Sequence, residues 1–296
     1  MTLVRKIHIG DSGFREIFGD GFTLEKLNAI MLALAELKPR QKVVVGYDNR
    51  FLSEEIAHHI AKILTAQNWN VRVISGTFPT PGVATLVKEW QQDFGLMVTA
   101  SHNPYYYNGV KIFNESAALI SRPFIRSLET LAEEKLNSSA EIPFEVGWRN
   151  SDSVSSLDAR RVYFDSLLKN VQVPLIQKKK LRVAWDAFGG TDQVLFPLLL
   201  KKLQTRQFGL WMEPEPTFHL RRLEPDKTSL KKLGSLVREK KTIVGLATDV
   251  DGDRFSILKE NGFYILNNQL MSLLTWYLLD VRKEKGNFIR LSVVLK

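Results

Sequence analysis

The sequence predicts an α/β protein: two consecutive α/β/α domains with mainly parallel, mixed sheets, followed by the start of a further strand–helix–strand unit. Three observations carry this prediction. Helical and strand periodicities alternate along the first part of the chain, a polar, turn-forming stretch interrupts them at 141–156, and the same alternation then restarts. Strands that are apolar on both faces, separated by helices, indicate a parallel sheet covered on each side. The chain has 296 residues and is 44% hydrophobic, enough for about two domains at roughly 100–200 residues each.

Taken in order, 24–37 (LEKLNAIMLALAEL) repeats apolar residues at helical spacing behind a Thr23 N-cap. The β-branched run 42–48 reads as strand, and 53–68 as helix with Ser53 as its N-cap. Strand 71–75, helix 81–92 behind the turn PTPG, and strand 95–100 follow. After the polar stretch come a helix in LDARRVYFDSLLKN, a strand in LRVAWDA, helices in TDQVLFPLLLKKL and TSLKKLGSLVREK, and a strand in TIVGLATD. Two short β runs flank Asn261-Gly262, a strong hairpin signal. A helix over 268–282 and a strand over 289–296 complete the pattern. The expected divisions are 1–145, 155–258 and an incomplete unit at 259–296.

The net charge of +9 is compatible with nucleic acid, anionic membrane or phosphorylated small molecules as partners. Scattered basic residues argue against the first two, and the densest run, 178–182, reads as a solvated loop before a strand. Cysteine is absent, which excludes disulfides, thiolate metal sites and cysteine nucleophiles. The N-terminus lacks a signal-peptide apolar region. The apolar stretch 270–279 is shorter than the ~20 residues a membrane span needs. The expectation is a cytoplasmic protein that contacts neither membrane nor nucleic acid.

Two loops carry chemistry. TASHNPYYYNGVKIF (99–113) follows an apolar strand, and turns after parallel strands lie at the ligand-binding end of an open sheet. Ser101 would present its hydroxyl to a cleft there, with His102 and Lys111 as sources of protons and positive charge. An ordinary loop with self-satisfied polar groups is the competing reading. The loop does not form the GxSxG elbow a serine hydrolase needs.

TDVDGDRF (248–255) places Asp249, Asp251 and Asp253 around Gly252 directly after a second apolar strand. Three carboxylates this close are unfavourable without a cation, and hard oxygen ligands in a tight turn suit Mg²⁺. An EF-hand loop starting at Asp249 would also have Glu260 at its twelfth position, but Arg254 standing where its glycine belongs and the flanking strands argue against it. DVDGD is also similar to the nucleophile motif of haloacid-dehalogenase-type phosphatases, but that motif normally opens its domain.

Together the two loops resemble the α-D-phosphohexomutase family, which includes phosphoglucomutases, phosphomannomutases and phosphoglucosamine mutases. GDSGFREIFGDGFT (10–23), PTPG (79–82) and YNGVKIF (107–113) are similar to further family segments, so the resemblance runs through nearly the whole chain. It implies an isomerase that interconverts hexose 1-phosphate and hexose 6-phosphate through a phosphoserine and a hexose bisphosphate. Ser101 would carry the phosphoryl group. Mg²⁺ would sit between that phosphate and Asp249, Asp251 and Asp253. Lys111 and Arg15 would stabilise charge, Arg254 would contact the serine-borne phosphate, and His102 would position or transfer protons.

Departures from the family pattern include Asp11 in place of threonine and Glu16 in place of glycine, which would add acidity near the site. Glu224 stands before Pro225 where asparagine is common, and DAFGG is a looser glycine turn. The family has four domains, and the resemblance covers two and the opening of a third. The expectation is therefore a truncated chain, with a partner chain as a possible source of the missing loops. The alternative function is a non-catalytic relative that binds sugar phosphate or a partner.

Overall fold

In a computed structural model, which describes residues 5–138, 153–211 and 213–286, each of two sheets is sandwiched between helices. The first sheet is built from β1 (Phe14–Ile17), β2 (Lys42–Tyr47), β3 (Asn70–Ile74), β4 (Phe94–Val98), β5 (Tyr107–Asn114) and β6 (Ser153–Val154). Interleaved with them are α1 (Leu24–Leu37), α2 (Ser53–Ala66), α3 (Thr80–Glu89) and α4 (Arg122–Asn137). The strand order is β1-β5-β4-β2-β3-β6, and β5 alone runs against the direction of the other five strands.

The pleat divides the strand residues between two cores. Val43, Val45, Leu96 and Ile112 face α1, α2 and α4. Val44, Met97 and Phe113 face α3 and α5 (Ser156–Leu168), with Phe78 closing that layer. Ala159 and Tyr163 of α5 therefore pack into the first sheet's core, and so does Leu195 of the next unit.

The second sheet follows α6 (Val173–Lys179) and comprises β7 (Arg182–Asp186), β8 (Arg206–Leu210), β9 (Val244–Thr248) and β10 (Phe255–Lys259) in the order β10-β9-β7-β8. Here β10 alone is antiparallel. α7 (Asp192–Lys202) packs on Val183 and Trp185, while α8 (Lys231–Lys240) covers Ala184, Ala247 and Leu258. The chain ends its described part with α9 (Asn267–Trp276), which continues as a π-helical turn at Tyr277–Val281.

Most expected elements are present, with informative differences. Ser53 does not cap α2: it is the first helical residue, and its Oγ donates to Asp48 Oδ1 at 2.9 Å, while Leu52 is the cap. A buried carboxylate at the end of β2 outcompetes the helix's own amides for that hydroxyl. The Asn261-Gly262 turn forms, with Gly262 at φ 78, but its second arm pairs only through a Leu258–Tyr264 bridge. β1, β5, β6, β8, α4 and α6 have no counterpart in the sequence reading, and β6 falls within the stretch read as a polar boundary. The strand expected at 289–296 and most of the polar boundary stretch lie outside the described residues. Among the described residues no helix is long and apolar enough to cross a membrane.

Candidate active site

β4 and β9 end at Val98 and Thr248, and the turns that follow them meet across the two sheets. Ser101 lies in the first turn, 1% exposed, with φ 52. A left-handed serine is strained and persists only where its surroundings hold it. They do so here through the backbone. The Ser101 N–H donates to Thr99 Oγ1 at 2.8 Å, and Thr99 Oγ1 donates to Asp48 Oδ2 at 2.6 Å. The Ser101 hydroxyl is left pointing at the other domain, where it donates to Asp249 Oδ2 at 3.0 Å.

The acidic turn is closed by its own backbone and by two contacts from outside. Asp249 N donates to Arg254 O, Thr191 N to Val250 O at 2.8 Å, and Thr80 N to Asp251 O at 2.8 Å. Gly252, at φ 71, makes the reversal that lets the carboxylates converge. One oxygen of each of Asp249, Asp251 and Asp253 lies within 4.8 Å of the others. Lys111, on β5 and 1% exposed, donates from Nζ to Asp251 Oδ2 and Asp253 Oδ2, each at 2.5 Å. Thr80 Oγ1 donates to Asp251 Oδ2 at 2.5 Å.

Burial and then the charges of Asp251 and Asp253 push the Asp249 carboxyl well above the usual carboxylate range. Burial would raise Asp251 too, but the charge and hydrogen bond of Lys111 hold it below that range. The triad thus carries more negative charge than one lysine neutralises. Asp251 Oδ1 is buried without a hydrogen-bond partner, and a buried carboxylate oxygen left bare is costly. Clustered hard oxygen donors with an orphaned lone pair fit a divalent cation.

The remaining expected residues ring this pocket. Arg15, on β1, donates to Ser12 O at 3.0 Å and keeps its buried Nε unpartnered. Burial lowers its pKa, opposed by the three aspartates it faces. His102 is half-buried, and burial together with Arg254 and Arg15 lowers its pKa, which favours the neutral ring. Arg254 is more exposed and pairs with Glu224 at 3.5 Å. Glu224 thus stands at the rim. The acidity expected there from Asp11 is directed elsewhere: Asp11 is exposed and ion-paired to Arg122 at the start of α4.

The sequence reading missed the turn after β2. Arg50, 3% exposed, donates from Nη2 to the carbonyls of Ser101 (2.6 Å) and Asn103 (2.7 Å), and from Nη1 to those of Pro104 (2.8 Å) and Tyr107 (3.0 Å). Its Nε lies 3.2 Å from Asp48 Oδ2, and its guanidinium sits 5.2 Å from the Phe218 ring centroid of the second domain. Asn49 Nδ2 donates to the carbonyls of Gly189 (2.7 Å) and Gly190 (3.0 Å). The Asp48–Arg50 turn thus shapes the serine loop and joins it to the opposite domain. The available signal was the same one that flagged Ser101: polar residues immediately after an apolar strand, here DNR after KVVVGY.

Comparison with known proteins agrees with this geometry. The family model described as phosphoglucomutase/phosphomannomutase, alpha/beta/alpha domain I, matches residues 6–139, and that for domain II matches residues 161–262. The chain belongs to the phosphoglucomutase/phosphomannomutase family. A protein named probable phosphoglucosamine mutase from Pyrococcus abyssi is 30% identical over 272 residues, covering 92% of this chain and 58% of the relative. A namesake from Methanothermobacter thermautotrophicus is 32% identical over 267 residues, covering 90% and 57%. The chain therefore spans less than two thirds of the length of these curated relatives. A crystal structure from Thermus thermophilus, of a protein named as a phosphomannomutase, shares the fold with a TM-score of 0.84 at 24% identity, covering 95% of this chain and 63% of that one.

Proposed function

We propose that this phosphoglucomutase/phosphomannomutase-family chain carries the phosphoserine side of a phosphohexomutase site, acting on hexose phosphates and a hexose bisphosphate. The observation that carries the reading is the pairing of Ser101 Oγ with Asp249 at 3.0 Å, beside Asp251, Asp253 and Lys111. A strained serine hydroxyl aimed at a carboxylate cluster fits reversible phosphoryl exchange better than hydrolysis, because its loop lacks the GxSxG elbow of a serine hydrolase. The proposed working units are 1–145 with the serine loop, 155–258 with the acidic loop, and 259–296.

In this reading Ser101 Oγ attacks the phosphorus of a hexose bisphosphate as the bond from phosphorus to the sugar oxygen breaks, and the reverse step returns the phosphoryl group to the other hydroxyl. The backbone grip of Arg50 and Thr99 pre-orients Oγ, so little loop ordering is left for the reaction itself. His102, held neutral, is assigned proton transfer at the reacting oxygens. Arg15 and Arg254 supply donors for phosphate oxygens, and Lys111 offsets the charge of Asp251 and Asp253. Asp249, Asp251, Asp253 and the Ser101 oxygen would hold Mg²⁺, whose charge would stabilise a phosphoryl group on Ser101.

The test is mass spectrometry of the chain after incubation with a hexose 1,6-bisphosphate and magnesium. The expected result is a gain of one phosphate located on Ser101 and absent from Ser101→Ala. Absence of any phosphate on the unaltered chain would overturn the proposal.

A further inference from the structure

The basic run at 178–182, expected to be a solvated loop, is half of a larger feature. The amino ends of the parallel strands β7 and β9 lie side by side, and a cleft of about 510 Å³ opens there. Lys179, Lys180 and Arg182 line it from one segment, and Arg238, Lys241 and Thr242 from another some sixty positions later. Glu260 is the one acid among its lining residues. The cleft lies at the opposite end of β9 from Asp249. Five strand residues at about 3.3 Å each place it roughly 17 Å from the acidic turn.

Four features distinguish this cleft from an ordinary charged surface. First, α6 and α8 end here, and each helix C-terminus carries only about half a negative charge. Five cations against Glu260 and two such ends leave a surplus of about three positive charges. Second, Lys179, Lys180 and Lys241 form no ion pair among the described residues, whereas Arg182 is held by the Lys240 carbonyl and Arg238 by Ser235 Oγ.

Third, Lys180 and Lys241 occupy the same position after their helices, both left-handed with φ 46 and 47. Asn68, Gln91 and Gln204 take the same conformation after other helices, so what singles out these two is that both are lysines lining one cleft. Fourth, Thr242 is 2% exposed and its Oγ1 has no hydrogen-bond partner. A buried hydroxyl without a partner marks a place where a polar group is accepted.

We propose that this cleft binds a compact, phosphate-bearing small anion at a site separate from that around Ser101. The volume is in the range of small-molecule sites. The five cations line a single open cleft of small-molecule size instead of running as a stripe along a face, which favours a compact anion over nucleic acid. Lys180 and Lys241 supply charge, and the Thr242 hydroxyl, buried beside them without a partner, supplies a donor once a small shift opens it to the anion.

Inorganic pyrophosphate is the probe, titrated calorimetrically into the whole chain in metal-free buffer. Saturable binding that depends on Lys180 and Lys241 is expected, separable by variant from any binding at the Ser101 pocket. Lys180→Gln/Lys241→Gln should weaken it by about tenfold or more, and Thr242→Val by several-fold, as for loss of one hydrogen bond to a charged group. Arg15→Ala, which removes a cation from the Ser101 pocket, should leave this affinity unchanged. Circular dichroism establishes that each variant is folded. A second pair, Lys180→Ala/Lys241→Ala, replaces the first if it is not. Three results overturn the proposal: no saturable binding, binding that follows Arg15 instead of the lysines, or tighter lysine-dependent binding of a mixed-sequence DNA duplex than of pyrophosphate.

Discussion

Removing the Lys111 ammonium is the sharpest perturbation of the paired loops. Lys111→Met keeps the length and apolar stem of the side chain but deletes the charge held 2.5 Å from both Asp251 and Asp253. Lys111 and Asp251 are essentially buried, so the variant strands a desolvated carboxylate beside a second one. Breaking a buried pair on one side costs about 3–5 kcal/mol. Asp253 is about a third exposed, which puts the expectation toward the lower end of that range. At about 2–4 °C per kcal/mol for a domain of this size, the metal-free melting temperature should fall by roughly 6–15 °C.

Magnesium should reverse most of that loss. The triad in the variant has lost its internal cation, so it gains more from an added one than the unaltered chain does. A site filled to about 100 times its dissociation constant gains about 2.7 kcal/mol. The assay is thermal unfolding followed by circular dichroism, for both proteins, in EDTA and in excess magnesium. A variant as stable as the unaltered chain without metal, or an equal magnesium gain in both proteins, would refute the electrostatic argument.

Three further outcomes are expected. Arg50→Lys retains a charge near Asp48 but cannot span four carbonyls with one ammonium; phosphate incorporation at Ser101 should slow by about tenfold or more, read by time-resolved mass spectrometry. Burial, followed by the charge of Asp251, raises the Asp192 carboxyl from 3.8 to about 6. Its contribution to stability is then fully present below about pH 4 and lost as pH rises through about 6, so urea unfolding should show the unaltered chain losing about 2–3 kcal/mol relative to Asp192→Asn over that window. In Gly190→Ala the new Cβ would lie 2.2 Å from Val250 O and 2.6 Å from Val250 Cα; because both are backbone, the acidic turn must move, and magnesium affinity measured by calorimetry should fall by about tenfold.

Much of the candidate site was legible because it obeys a positional rule. Ser101 and Asp249 each follow an apolar parallel strand, so the sequence places both at the ligand-binding ends of their sheets. Lys111 was legible as a charge near Ser101, but not as the partner of Asp251, because that pairing spans 140 positions. Arg50 was passed over because an arginine in a turn is ordinarily solvated, and nothing local says that four carbonyls will close around it. The Ser53 misreading has the same origin: a good capping residue was claimed by Asp48, a competitor made available by the strand before it.

The sequence by itself determined the layered α/β architecture, since strand and helix periods are properties of contiguous residues that need only local sterics and an apolar face. It also determined the chemistry on offer, a serine loop and a three-aspartate loop. The tertiary structure decided which groups meet. It aimed the Ser101 hydroxyl at Asp249, placed Lys111 between two carboxylates, and locked the serine loop to the second domain through Asn49 and Arg50. It also folded a basic run that looked like a solvated loop against Arg238, Lys241 and Thr242. Charges and hydrogen bonds act over a few ångströms of space, and only the packing of one sheet against the next brings residues so far apart in the chain within that reach.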